Sequence, residues 1–301
     1  MSNQTLTKDF DFQLTTEYTY DTTKISVSGG AAALKAVSSA YGTSNPTIQA
    51  KTTLLCSKIN AFTETVTGGS GDITKHIMTV NGQDYWWTGS RWGTSNGAYA
   101  QSNLAADVNT NIGSLIASRS RVRLKTFLHS GDGTSTINLS NINLSYDFAG
   151  YSVPDDIRGV MVNVENSHIK DEQITTYIEN SDNFIDQALS QAYTLPITDA
   201  DALKILRTFS VTLASYSLVD YLQKREEDTE ISSLTKSQYK VVMENLKNIA
   251  EGKMNLVGMS NTGKMSASTE NYLPTFNQGD FENMHVDEDL LTDIGNDAWV
   301  G

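Results

Sequence analysis

Between Pro154 and Val257 the apolar residues recur every three or four positions, a spacing that indicates amphipathic helices. Pro154 suits the first turn of a helix, where its missing N–H is not needed, and Gly252 suits a helix end. Four helices are predicted. The first is short and begins at Pro154, and the other three cover about residues 170–192, 199–224 and 235–252. The helix over 199–224 is the most apolar and should be the most central. The short apolar run 253–257 suits an edge strand.

Before residue 150 the apolar residues alternate with polar ones, which is typical of strands with one buried face. The alternating sets are Phe10, Phe12 and Leu14, then Ile25 and Val27, then Ile142, Leu144, Tyr146 and Phe148. Asn81-Gly82 predicts a two-residue hairpin, and a helical spacing from Leu104 to Leu115 interrupts the strands. This half therefore predicts an antiparallel β-sandwich of jelly-roll type with one inserted helix. A mixed helix-and-sheet module is the alternative.

These changes of pattern predict a multidomain α and β chain. A β-sandwich occupies residues 1–150, a four-helix bundle residues 151–258, and an extended acidic tail residues 259–301. The three parts carry net charges of +1, −7 and −7, which add up to the −13 of the whole chain. Since phosphate is repelled by such acidic surfaces, a direct grip on duplex DNA is not expected.

The tail is polar and carries four widely spaced aromatic residues, Tyr272, Phe276, Phe281 and Trp299. A segment of this composition is either disordered or becomes ordered on a partner. We take the four aromatics as a possible partner-binding set.

The remaining composition indicates a soluble protein made in the cytoplasm. The N-terminus lacks the pattern of a signal peptide, and no apolar run approaches the roughly 20 residues that span a bilayer. The single cysteine, Cys56, excludes an internal disulfide and is expected to be buried.

The helical stretch also contains short motifs in a fixed order. They are Pro154-Asp-Asp-Ile-Arg158, Asp171-Glu-Gln-Ile174, Tyr193-Thr-Leu-Pro196 and Leu246-Lys-Asn-Ile-Ala-Glu-Gly252. Over about residues 153–258 the chain resembles the head-tail connector (adaptor) proteins of tailed bacteriophages. The N-terminal part resembles the jelly-roll or carbohydrate-binding-type sandwiches that decorate virions, a likeness of fold only.

The resemblance implies a structural virion protein in the neck, at the head-tail interface. It would form a homo-oligomeric ring of twelve copies beneath the portal, bound to the portal protein and to tail-side neck proteins such as the stopper or tail terminator. DNA would pass through the ring without sequence-specific binding. No enzymatic activity, cofactor, metal or membrane contact is implied. The alternative function is a carbohydrate- or cell-surface-binding virion module whose helices serve as an attachment domain.

Trp86, Trp87 and Trp92 lie in the densest aromatic group of the chain. Consecutive residues of a strand point to opposite faces, so only one of Trp86 and Trp87 can face the core of a two-sided sheet. Three roles remain open for this group, namely packing in the core or under a loop, a protein interface, and glycan binding.

Catalytic and metal sites are not predicted. The four histidines are scattered, Asp132 in Ser130-Gly-Asp-Gly133 suits a tight turn better than a calcium loop, and no nucleophile-elbow or phosphate-binding motif occurs. Whether Glu64, Asp84 and Asp107 approach each other cannot be derived from sequence. Arg119, Arg121, Arg123 and Lys125 form a basic strand face, which is either solvated or meets an acidic neighbour, for example the helical domain of an adjacent copy.

Overall fold

The computed structural model describes residues 4–37, 40–41, 44–116, 118–161, 169–225 and 233–259. Its first strands are β1 (Thr5–Phe10), β2 (Tyr18–Tyr20), β3 (Ile25–Ser28), β4 (Ala31–Leu34), β5 (Ala36–Val37), β6 (Ala40–Tyr41) and β7 (Thr47–Ala50). The later strands are β8 (Leu54–Thr67), β9 (Ile73–Val80), β10 (Gln83–Trp87), β11 (Trp92–Thr94), β12 (Ser120–His129) and β13 (Asn138–Phe148). The helices are α1 (Ala105–Asn111), α2 (Pro154–Val160), α3 (Asp171–Leu189), α4 (Ala200–Arg225) and α5 (Ser233–Ala250).

Eleven of these strands form one antiparallel sheet. The order along its main path is β11-β10-β9-β12-β8-β13-β4-β3, with β1 paired to β13, and with β7 paired to both β12 and β2. A large antiparallel sheet with several helices is therefore confirmed as the fold class. The jelly-roll topology and the separation into domains stay predictions.

The alternating pattern correctly identifies the buried side of the central strands. Ile142, Leu144, Tyr146 and Phe148 of β13 are all at most 7% exposed. Asn81 and Gly82 have φ angles of 50° and 85°, and Val80 pairs with Gln83, so the predicted hairpin is confirmed. The inserted helix is present as α1 followed by a 3-10 turn. Cys56 is buried, as predicted.

The alternation fails at Leu14, whose side chain is 58% exposed. The cause lies at Phe12, where a φ of 54° turns the backbone away from the strand direction. The Phe12 N–H donates to the Tyr18 hydroxyl over 3.3 Å, and the two rings stack at 4.8 Å between centroids. The chain after β1 thus bends around Tyr18, and Leu14 points to solvent.

All four C-terminal helices are found near their predicted bounds. α4 contacts α2, α3 and α5, and α3 likewise contacts the other three helices, so the most central position of α4 stays a prediction. Ile174 and Ile178 of α3, with Ala214 and Leu218 of α4, belong to the same apolar cluster as the sheet residues. A second cluster of buried apolar residues lies among α3, α4 and α5, further from the sheet. The helices consequently share one core with the sheet. Whether they form a separate four-helix adaptor bundle stays a prediction.

The predicted edge strand at 253–257 is wrong, because this segment is irregular. The N–H groups of Lys253 and Met254 donate back to the Asn248 carbonyl at 2.8 and 3.1 Å, with Gly252 at a φ of 70°. The Leu256 N–H donates to the Tyr193 hydroxyl over 2.8 Å. Local partners satisfy these backbone groups, so no sheet edge is needed.

Three predicted features lie outside the described residues. They are the tail aromatics Tyr272, Phe276, Phe281 and Trp299, the acidic run 226–230, and two of the four histidines, His168 and His285. Among the described helices, none is both long enough and apolar enough to cross a membrane.

Candidate functional site

The junction between sheet and helices contains a buried carboxylate, Asp182 of α3, with 0% exposure. Its Oδ2 accepts the Tyr151 N–H over 2.9 Å, and its Oδ1 accepts the Ser210 hydroxyl of α4 over 2.6 Å. Ser210 in turn hydrogen-bonds the Ser152 hydroxyl at 2.7 Å. This carboxylate therefore joins α3, α4 and the segment that follows β13.

Asp182 has an unusual protonation behaviour. Burial raises its pKa to about 7, while the hydrogen bonds from Ser210 and Tyr151 and the charge of Arg119 act in the lowering direction. The Arg119 Nη2 lies 3.9 Å from Asp182 Oδ2, and its Nε and Nη2 are buried without hydrogen-bond partners among the described residues. The junction thus holds two incompletely compensated charged groups.

The sequence contains a signal for the burial of Asp182. The apolar stripe of α3 runs Ile174, Ile178, Ile185 and Leu189, and Asp182 occupies the position of the missing turn. A carboxylate at a core position of an amphipathic helix must find partners inside the protein. Its partner Ser210 follows 28 residues later, on another helix.

The basic face of β12 meets acidic groups of the same chain. Arg121 forms an ion pair with Glu179 of α3, one turn before Asp182. Arg123 donates to the Thr53 hydroxyl at 3.3 Å, and Lys125 lies 3.6 Å from Asp84. Arg121 of this strand therefore faces the chain's own α3, and a contact with an adjacent copy stays a prediction.

The tryptophan group lies on the edge hairpin β10–β11, and all three side chains are half-buried. Trp87 pairs with Trp92, and their rings meet edge to face with 5.9 Å between centroids. Their surroundings hold them in place, since the Trp87 N–H donates to Asn103 Oδ1 at 2.6 Å and Trp92 Nε1 donates to the Asn111 carbonyl at 3.1 Å. Trp86 points to the opposite face of the hairpin.

A chain of polar side chains inside the sheet resembles a catalytic triad in its connectivity. His76 Nδ1 lies 3.0 Å from the Thr126 hydroxyl, and His76 Nε2 lies 3.0 Å from Glu64 Oε2. Burial acts to raise the pKa of Glu64, but the hydrogen bond and charge of His76 and the hydrogen bond from Thr74 together lower this pKa. Thr126 is only 1% exposed and His76 equally 1%, so no substrate reaches the hydroxyl. The arrangement satisfies buried polar groups.

The remaining acidic candidates have structural roles. Asp132 Oδ1 accepts the N–H groups of Thr134 and Ser135, each at 2.8 Å, which confirms the tight turn. Asp84 Oδ1 accepts the Thr79 hydroxyl at 2.6 Å, away from the Glu64 contacts. Within the described ranges, no group of three or more His, Cys, Asp or Glu side chains is placed to hold a metal ion.

A cleft of about 650 Å³ opens between the sheet and the start of α2 and α3. Its lining carries both signs of charge, with Lys8 and Lys170 facing Asp155 and Glu172. Such a mixed lining indicates no single class of charged ligand.

Comparison with known proteins points to bacteriophages. Residues 151–273, less than half of the chain, match the family described as bacteriophage Mu, Gp36. This match, which begins in the segment after β13 and includes α2 to α5, indicates a phage virion protein of structural type. The chain matches no curated protein.

One solved structure aligned with the chain is a family two carbohydrate esterase from Cellvibrio japonicus. The alignment covers 81% of this chain and 86% of the esterase, with 8% sequence identity and a TM-score of 0.27. A TM-score this low supports no argument about fold or activity.

Proposed function

We propose that this protein is a head-tail connector (adaptor), which forms a ring beneath the portal in the phage neck and joins the DNA-filled capsid to the tail. The observation that carries the proposal is the match of residues 151–273 to the bacteriophage Mu Gp36 family. The matched segment coincides with the helical part of the chain. The order of short motifs from Pro154 to Gly252 supports the same assignment.

In this proposal α2 to α5 are the adaptor bundle, and the sheet is a jelly-roll-type decoration attached to it. The shared apolar core, together with the Arg121–Glu179 pair, supports a fixed orientation of the sheet on the helices. A sheet fixed in this way can project from a ring without a flexible linker.

The proposed partners are the portal protein, the tail-side stopper or tail terminator, and further copies of the chain in a twelve-membered ring. DNA would pass through the ring without sequence-specific binding, which agrees with the net charge of −7 over residues 151–258. We also propose that the chain has no enzymatic activity. The inaccessible Thr126 hydroxyl supports this within the described residues.

The position in the virion is testable by immunogold electron microscopy with an antibody against the purified chain. We expect gold at the junction of head and tail, and we expect the chain to co-sediment with purified portal rings of the same phage. The major capsid protein is the control partner and should not co-sediment. Gold along the capsid surface or on tail fibres would contradict the proposal.

A second candidate function, glycan binding, is favoured by one observation, the position of the half-buried Trp86 on the face opposite the Trp87–Trp92 pair. If the hairpin binds sugars, Trp86→Ala should abolish pull-down by host surface polysaccharide while the melting temperature stays unchanged. Trp87→Ala is the matched control, because it removes an aromatic ring that packs on Trp92 and should lower the melting temperature. If the wild-type protein does not bind the polysaccharide, glycan binding is rejected as a function.

A further inference from the structure

The outward face of α3 carries no charge after its first turn. Asp171, at the first position, is paired with Arg158. The exposed residues beyond it are Gln173, Thr176, Asn180, Asn183, Phe184 and Gln187. On a regular helix these six positions fall within about 100° of the circumference. Phe184 is 41% exposed at one edge of this uncharged face, which we call the α3 face. Few charges around an exposed aromatic ring are typical of the centre of a protein interface.

The acidic residues of α3 beyond its first turn lie beside or opposite this face and have partners within the chain. Glu179 pairs with Arg121, Asp182 is buried between Tyr151 and Ser210, and Asp186 accepts the Tyr151 hydroxyl. The helix therefore contains carboxylates, but its contacts with the sheet and α4 keep them off the α3 face. An outward surface without charge is a consequence of the tertiary structure.

The outward face of α5 is basic. Lys236, Lys240 and Lys247 lie within about 40° of each other on the helix and span about 16 Å along it. Lys236 and Lys240 have no partner among the described residues, and Lys247 lies 3.9 Å from Glu251. Val241, 53% exposed, lies about 100° around the helix from Lys240, outside this lysine stripe. Glu244 is the one exposed carboxylate among residues 236–250. We call this surface the α5 face.

The two faces point in different directions from the same group of helices. α3, α4 and α5 each contact the other two, so the outward sides of α3 and α5 turn away from a common core. The two helices have similar lengths, 19 and 18 residues. A neighbour bound to one face therefore leaves the other face available.

The net charge of the chain indicates which partner can bind the α3 and α5 faces. Each chain carries a net charge of −13, so two copies repel each other least where they meet through surfaces with little negative charge. We propose that the α3 face of one copy binds the α5 face of the next. The lysine stems would cover the Phe184 ring with their ammonium groups near it, and the amide oxygens of Asn180, Asn183 and Gln187 would accept their hydrogen bonds. The inference rests on the proposed function, since it identifies the surface between copies in the ring.

A contact between two different faces is heterologous, and its repetition generates a closed ring or a filament. It also has a property that a symmetric contact lacks. Two variants that are each defective on one face can still combine through their intact faces.

The test uses one variant for each face. Phe184→Lys places a cation against the lysines of the neighbour, and Lys236→Glu/Lys240→Glu removes the basic stripe. Sedimentation velocity over a concentration series up to the solubility limit measures assembly. We expect the wild type to self-associate and each variant to weaken association about tenfold or more. Mixing the two variants should restore assembly.

Lys58→Glu/Lys170→Glu is the control, because it makes the same charge change at exposed lysines outside both faces and should assemble like wild type. Circular dichroism verifies that every variant is folded. A wild type that remains monomeric at the highest concentration overturns the inference. Variants that assemble normally, or a mixture that stays monomeric, also overturn it. Portal co-sedimentation of the monomeric variants is measured separately, so loss of the proposed function is distinguished from loss of this interface.

Discussion

The Asp182→Asn variant is expected to lose a large part of the pH dependence of folding stability between about pH 4 and about pH 8. In the folded protein burial raises the pKa of Asp182 to about 7, well above its ordinary value of 3.8. The protonated form is therefore favoured by folding. Its contribution to stability is complete below about pH 4 and is lost as the pH rises through about 7. The shift corresponds to about 4 kcal/mol across this window.

Urea unfolding of wild type and variant at several pH values measures this effect. The difference in unfolding free energy between the two proteins should change in favour of the variant by up to about 4 kcal/mol from low to high pH. Asp155→Asn alters an exposed carboxylate and leaves Asp182 in place, so it should retain the wild-type slope. Parallel pH profiles for wild type and Asp182→Asn would show that Asp182 ionises normally.

The second large effect is expected at Gly150, immediately before the Asp182 contacts. A Cβ at this position would lie 2.4 Å from Phe148 Cε1, 2.9 Å from the Ser152 carbonyl and 3.0 Å from Asp182 Oδ2. Phe148 is buried and its ring cannot move into solvent. Gly150→Ala should therefore force the junction apart and destabilise the fold by about 1–3 kcal/mol.

Gly159→Ala is the matched control for this substitution. Gly159 lies in α2, and a Cβ there would meet nothing within 4 Å. The change reduces the entropy of the unfolded chain and should stabilise the protein by about 0.4–1 kcal/mol. Chemical denaturation of both variants gives the two differences. Equal effects of the same sign would mean that the space around Gly150 does not decide the result.

Local patterns in the sequence determined most of the secondary structure. Pro154 marks the start of α2 and Gly252 follows the end of α5, because the effects of proline and glycine act on neighbouring backbone groups. The Asn81-Gly82 hairpin and the buried side of β13 follow from equally local rules. The two errors, at Leu14 and at residues 253–257, occur where a tyrosine hydroxyl fixes the backbone, that of Tyr18 six residues after Phe12 and that of Tyr193 63 residues before Leu256.

The roles of particular side chains were decided only by the tertiary structure. Arg121 and Glu179 are 58 residues apart, and His76 and Thr126 are 50 apart. Sequence periodicity shows that a strand is basic on one side and that a helix is apolar on one side. It does not show which surfaces meet, because the spacing of apolar residues along a helix or strand is the same whichever element it packs against.

The sequence by itself thus established a β-rich half, a helical half and the phage resemblance of the helices. The packing of α3 against β12, α4 and the segment after β13 decided that Glu179, Asp182 and Asp186 find partners within the chain, and that the exposed side of α3 beyond its first turn is left without charge. These outcomes depend on the free energy of placing charges next to distant partners or away from water, and that quantity is defined only once the chain has folded.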